Sequence, residues 1–94
     1  MRFVWAERKN RRNILKHGFP FEVAIGAFED PLCLNIEDPS QFDEQRYWAI
    51  GRVRNLKIVL VVYSASERHG EEIIRIISAR KATPQERELY EAQS

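Results

Sequence analysis

The sequence predicts an α+β fold: an antiparallel β-sheet meander, two N-terminal helices packed on one face, and a short C-terminal helix. Three observations predict it. The first thirty residues are rich in helix formers and carry one clean helical apolar stripe. The middle and later chain holds β-branched and aromatic runs joined by short turns. The last dozen residues open on a helix-start signal and continue with helix formers. Successive strands with short connections imply antiparallel neighbours, and helices that precede them are expected to cover one face. Ninety-four residues suffice for one domain and are too few for two, so a single domain over 1–94 is expected.

Arg2 to Trp5 is short and rich in strand formers, which predicts an edge strand. Arg8 to His17 contains good helix formers and no proline, with Ile14 and Leu15 as its expected apolar contacts. Gly18 stands where a left-handed residue ends a helix, and Lys16 and His17 occupy the last turn, where cations suit the helix dipole. A second helix starts near Pro20. Phe21, Ala24, Ile25 and Phe28 fall at i, i+3, i+4 and i+7, a stripe for burial, and Asp30-Pro31 stops it. Leu32 to Ile36 then reads as a strand, followed by an acidic loop through Asp38, Pro39, Asp43 and Glu44. Tyr47 to Val53 and Lys57 to Ser64 read as strands joined by a tight turn around Arg54-Asn55, with Asn55 as the residue that tolerates positive φ. Ser66 to Gly70 predicts the next turn and Ile73 to Arg80 the last strand. Thr83-Pro84-Gln85-Glu86 is a capping box with proline at the first helical position, opening a helix from Pro84 to about Ala92.

Composition excludes several classes. Cys33 is the single cysteine, so an intrachain disulfide and a cysteine metal cluster are both ruled out, and a reducing cytoplasm fits. The longest apolar run, Ile58 to Tyr63, is far shorter than a membrane span. The N-terminus has no apolar signal core, so neither a membrane nor that export route is expected. Net charge is +1, yet its distribution is uneven. Residues 1–18 carry +5, residues 22–45 carry −7, residues 46–81 carry +5, and the tail from 82 carries −2. Two basic blocks on one face would hold phosphates; dispersed, they would make an ordinary mixed surface.

No metal-ligand spacing, glycine-rich phosphate loop or nucleophile elbow is present, so no cofactor is expected. What remains is Arg and Lys at strand and helix ends, chemistry suited to stabilising the charge of a phosphodiester transition state. Simple alternation along the last strand puts Ile74, Ile76, Ser78 and Arg80 on one side and Ile73, Arg75, Ile77 and Ala79 on the other. Arg75 is then a mid-strand charge that either pairs with a carboxylate or lines a cleft. Arg52, Arg80 and Lys81 lie near strand ends, with the same two readings. His17 suits general acid–base work, or else simply complements the helix C-terminus. His69 beside Gly70 reads as a turn residue, and Trp5 and Trp48 as core or as base-stacking rings.

Together these residues resemble a known family. Trp5, Lys9, Asn13 and Lys16-His17-Gly18, then Phe21-Glu22 and Ala24, look like the opening signature of the BrnT toxins. Arg46, Ile50 and Gly51 resemble the family's central strand, and Arg75 to Arg80, Ala82, Glu86 and Tyr90 its C-terminal signature. The resemblance implies a fold related to the RelE-type ribonuclease toxins and RNA cleavage that arrests growth. It also implies a ribbon-helix-helix antitoxin, with operator DNA bound only through that antitoxin. Under it, His17, Arg75 and Arg80 are the expected catalytic residues and Lys16, Arg52 and Lys81 the expected RNA contacts, without metal, with Lys16, His17, Arg52, Arg75 and Arg80 expected around one cleft. The alternative is a non-catalytic binding module, or a degenerate toxin acting only in the repressor complex. Two positions depart from the pattern. Ala6 replaces an aspartate that would cap the first helix, a loss of about 1 kcal/mol. Pro20 replaces a small polar residue before the second helix.

Overall fold

The computed structural model describes residues 1–39 and 45–93, so Asp43 and Glu44 of the expected acidic loop lie outside the described residues. Five strands form one sheet: β1 (Arg2–Val4), β2 (Leu34–Glu37), β3 (Tyr47–Arg52), β4 (Ile58–Arg68) and β5 (Glu71–Lys81). Their spatial order is β1-β5-β4-β3-β2. From β2 to β5 the sheet is the expected meander, each strand antiparallel to its neighbour. β1 breaks the pattern. It pairs parallel to β5, with Arg2 opposite Ile73 and Val4 opposite Arg75, so the sheet is mixed and not purely antiparallel. The reason is the helical crossover. The chain leaves β1, crosses one face as helix, enters the far edge at β2 and walks back strand by strand until β5 arrives beside β1. Parallel neighbours require such a long connection, and a hairpin cannot make one.

The helical segments are α1 (Glu7–His17), α2 (Phe21–Ala24), a 3₁₀ extension Ile25–Glu29, and α3 (Pro84–Glu91). α2 and its extension bury Phe21, Ala24 and Ala27 against Ala49, Val59, Val61, Tyr63, Ile74, Ile76 and Ala79 on the first face. The switch to 3₁₀ brings Ala27 into the core beside the expected Phe21 and Ala24, while Ile25 and Phe28 are only half buried. Gly51 permits this approach, because a Cβ there would lie 2.7 Å from the Ala27 carbonyl oxygen. Phe3, Phe28, Tyr63 and Tyr47 continue the layer as a run of ring contacts 5.1–5.4 Å apart. On the second face, α3 covers a smaller cluster of Ile50, Ile58, Leu60, Ala82 and Tyr90.

Two turns differ from expectation. The positive φ between β3 and β4 falls on Leu56, after a 3₁₀ turn over Arg54–Leu56, and not on Asn55. β4 runs on to Arg68, so the β4–β5 hairpin closes on His69 and Gly70 alone, both with positive φ, as a two-residue I′ turn requires. α1 holds the larger surprise. Ile14 is 39% exposed and Leu15 89% exposed, so neither anchors the helix. Its buried residues are Asn10 and Asn13.

Candidate active site

Those two asparagines fix α1 against the sheet by hydrogen bonds in place of apolar packing. β1 ends at Val4, level with Arg75, which leaves the later backbone of β5 without a strand partner on that side. Asn13 takes the vacant place. Its Nδ2 donates to the Ala79 carbonyl at 2.8 Å, and its Oδ1 accepts from the Ala79 N–H at 3.1 Å. A side-chain amide carries one donor and one acceptor side by side, so it can satisfy a strand residue as a neighbouring strand would. The same Nδ2 donates to the Phe19 carbonyl, holding the chain just beyond Gly18. Gly18 itself, at φ 78, ends α1 as expected. Asn10 does the corresponding work for α2. Its Oδ1 accepts from the Phe21 N–H at 2.8 Å, so the helix that begins after Pro20 is capped from α1. Its Nδ2 donates to Glu7 and Glu22.

β5 is irregular at this point. Tyr63 pairs with Ile76 and Val62 with Ser78, leaving Ile77 as an extra, unpaired residue. Such a bulge bends the strand and changes which face later side chains occupy. The strict alternation anticipated from the sequence therefore fails after Ile76. Ala79 joins Ile74 and Ile76 in the first-face core. Arg75, Ser78 and Arg80 pair with Ser64, Val62 and Leu60, which share the second face. Alternation had separated the two arginines; the bulge puts them on the same side.

At the edge of this strip the last turns of α1 and the bulge enclose a cleft of about 220 Å³ lined by Lys9, Arg12, Asn13, Lys16, His17, Ile77 and Ser78. Lys16 and His17 are thus together, beside Ser78. Arg75 projects from the same face as Ser78; it is exposed, and its Nε donates to Ser64 Oγ at 3.3 Å. Arg80 is engaged. Its guanidinium forks onto both oxygens of Glu86, at 2.8 and 2.9 Å. The hydrogen bond and charge of Glu86 raise the Arg80 pKa, and Arg80 holds the Glu86 carboxyl below its usual range.

Arg52 lies elsewhere. It stands two strands from β5 and lines a separate pocket with Glu22, Glu29, Asp30 and Arg54. Its guanidinium carbon sits 5.9 Å from the centre of the Tyr90 ring, and its backbone N–H donates to Asp30. Lys81 is exposed at the end of β5, on the face opposite Arg80. The five basic residues expected around one concavity therefore divide. Lys16 and His17 line the cleft, Arg75 and Arg80 lie on the second face of β5 outside its lining, and Arg52 faces the acidic segment. The sequence reading missed Lys9, Arg12 and Ser78 as neighbours of His17. The helical spacing of Lys9, Arg12 and Lys16 was the available signal for two of them; the bulge that places Ser78 had none.

Other candidates have local explanations. Trp5 packs edge-on to Phe21, 5.9 Å between centres, and donates its indole N–H to Glu7. Burial, with the nearby Asp30 charge, pushes the Cys33 thiol up to about 11, so it stays protonated at neutral pH. No group of three or more His, Cys, Asp or Glu side chains among the described residues has a geometry able to hold a metal. No helix among them is long and apolar enough to cross a membrane.

A family model described as "Ribonuclease toxin, BrnT, of type II toxin-antitoxin system" matches residues 5–86. This chain belongs to the BrnT family. The match reaches from Trp5, at the start of the α1 segment, to Glu86, the partner of Arg80, and so takes in every residue of the cleft. The fold agrees. The crystal structure of the Brucella abortus ribonuclease toxin BrnT, at 1.1 Å resolution, is similar with a TM-score of 0.62 and 34% sequence identity. The alignment covers 88% of this chain and 97% of that one. Comparison with curated proteins finds no match. As a type II family, BrnT implies a protein antitoxin as partner.

Proposed function

We propose that this BrnT-family chain is an endoribonuclease that cleaves RNA without a metal ion, at the cleft between the C-terminal end of α1 and the β5 bulge. The observation that carries the proposal is the shared cleft of Lys16, His17 and Ser78, with Arg75 on the Ser78 face. A proton carrier and several cations around one space are what transesterification of a phosphodiester needs. The RNA 2′-hydroxyl oxygen bonds to the adjacent phosphorus, the bond from phosphorus to the 5′ oxygen breaks, and the products are a 2′,3′-cyclic phosphate and a 5′-hydroxyl. His17 takes the 2′-hydroxyl proton and, as imidazolium, returns one to the leaving oxygen. Arg75 stabilises the extra negative charge on the phosphate oxygens, and Lys16 holds the phosphate.

Arg80 has a double role in this reading. Two of its nitrogens are committed to Glu86, and the donors that remain face the same side as Arg75. Arg52 and Lys81 contact RNA, if at all, outside the cleft. Among the described residues no carboxylate lines the cleft, a donor set that suits an anion and not Mg²⁺. The antitoxin is of the ribbon-helix-helix type and brings operator DNA to the complex, and the pair works in the cytoplasm. Incubating the purified chain with end-labelled RNA in EDTA tests the reaction. Cleavage with cyclic-phosphate ends is expected; activity that disappears with EDTA and returns with Mg²⁺ overturns the mechanism.

A further inference from the structure

α1 carries a second feature that extends beyond the cleft. Asn10 and Asn13 are its buried residues, and most of its remaining surface is exposed. Arg8, Lys9, Arg11, Arg12 and Lys16 are all exposed along it. Arg8, Arg12 and Lys16 stand four residues apart and form one ridge, about 6 Å per step and about 12 Å in all. Lys16 and Arg12 line the cleft at one end of the ridge, and Arg8 lies outside it.

Local energetics oppose this arrangement. Like charges at i, i+4 repel by about 0.2–0.5 kcal/mol per pair, and the ridge holds two such pairs. Arg8 and Lys9 stand in the first turn, where the helix dipole disfavours cations. Ala6 offers no side-chain cap to offset this. Glu7 is the one acid of the helix, and its oxygens already accept from Trp5 and Asn10. The fold therefore maintains a row of mutually repelling cations, with no salt bridge to them among the described residues, which an external polyanion would relieve.

We propose that the Arg8–Arg12–Lys16 ridge is a phosphate track that binds the RNA strand flanking the scissile phosphate and leads it into the cleft. The inference rests on the ribonuclease reading above and extends it from the reacting phosphate to its neighbours. A row of evenly spaced cations suits a polymer that repeats one charge, and its continuity with the cleft through Arg12 and Lys16 gives that polymer a direction. Binding by such contacts releases counterions, so the logarithm of affinity falls with the logarithm of salt concentration by about 0.7 per phosphate held on a single strand.

The experiment measures affinity across a salt series for a 2′-O-methyl oligoribonucleotide, which lacks the attacking hydroxyl and is bound without being cut. Arg8→Gln and Arg12→Gln should each make the slope shallower by about 0.7, and the double variant by about 1.4. Arg8→Lys should keep the parent slope, since the contact is one of charge. Arg68→Gln, at the hairpin end of β4, should also keep it. The Gln variants should melt no lower than the parent, since each relieves repulsion. A slope unchanged in the double variant overturns the track. So does a double variant whose antitoxin affinity falls while its RNA affinity holds, which would assign the ridge to a protein partner. Failure of the ribonuclease reading would show separately, as intact unmodified RNA after incubation with the parent chain.

Discussion

Arg75 and Asn13 are four residues apart in their effect on β5, yet they predict opposite mutant behaviour. Arg75 is exposed, and its hydrogen bond to Ser64 lies in solvent. Arg75→Ala should shift the melting temperature little, because exposed polar contacts contribute about 0–1 kcal/mol. RNA cleavage should fall by roughly 10²–10³-fold, the scale of losing one transition-state donor. A cleavage assay beside a thermal melt reads both, and a folded variant that cleaves at the parent rate removes Arg75 from the mechanism. Asn13 is buried and satisfies both backbone groups of Ala79. Asn13→Ala strands both and should cost about 2–6 kcal/mol, since each unsatisfied buried group costs about 1–3. Melting should fall by more than about 8 °C for a chain of this size. Much of this was legible in the sequence: His17, Lys16 and Arg75 were singled out by residue type and position. The role of the asparagines was not, because a polar residue on a helix gives no sign that it will replace a missing strand. Arg75 and Arg80 were placed on opposite faces because alternation cannot foresee an extra residue at Ile77.

Each helix depends on how its ends are held. α1 begins at Ala6, with extended backbone (φ −84, ψ 124) and no side chain to accept from the first turn. That geometry is ready for a cap. Ala6→Asp should stabilise the fold by about 1 kcal/mol and raise the melting temperature by about 4–8 °C. It also puts a negative charge where the dipole and the neighbouring arginines favour one. A variant that melts at or below the parent temperature would show that the cap is blocked. α3 is held at both ends by carboxylates. Glu86 closes the capping box with Thr83 and receives Arg80, while Asp30 accepts from the Tyr90 hydroxyl near the other end. Arg80 is the main cause that holds Glu86 below 4.5. Burial alone would raise Asp30, but hydrogen bonds from Tyr90, Leu32 and Arg52 hold it below 3.8. Both groups have lower pKa values folded than unfolded, so their contributions are complete above those ordinary values. They are lost as pH falls through the folded ones. An acid titration followed by denaturant melts should show stability declining below about pH 4.5, and less steeply in Glu86→Gln. A variant with the parent's acid slope would assign the loss to other groups. The capping box was fully readable in the sequence, as local signals are. Its second partner was not, because Arg80 reaches Glu86 only after the chain turns at Ala82 and Thr83.

For the whole molecule, the parallel β1–β5 pair is the feature that local reading could not supply. The antiparallel neighbours all follow in sequence, β3–β4 and β4–β5 across short turns and β2–β3 across residues 38–46, whereas β1 and β5 lie far apart along the chain. The uneven charge blocks were visible from the start. That the first joins the third through α1 and β5, while Arg52 and Arg54 turn to the acidic segment, required the topology. The same pairing sets a timetable for synthesis. Lys16 and His17 are made well before Ser78 and Ala79, so the cleft has one wall until β5 follows. Long-range pairing of this kind pays its loop-closure entropy late. A nascent chain that ends at Gly70 lacks β5 entirely, along with the Ala79 groups that anchor Asn13. Such a fragment should show neither cooperative melting nor RNA cleavage, and arrested chains should become protease-resistant only once β5 has emerged. A fragment 1–70 that folds on its own would refute this order. A chain under synthesis therefore gains the second wall of its cleft only with β5, however early α1 has formed.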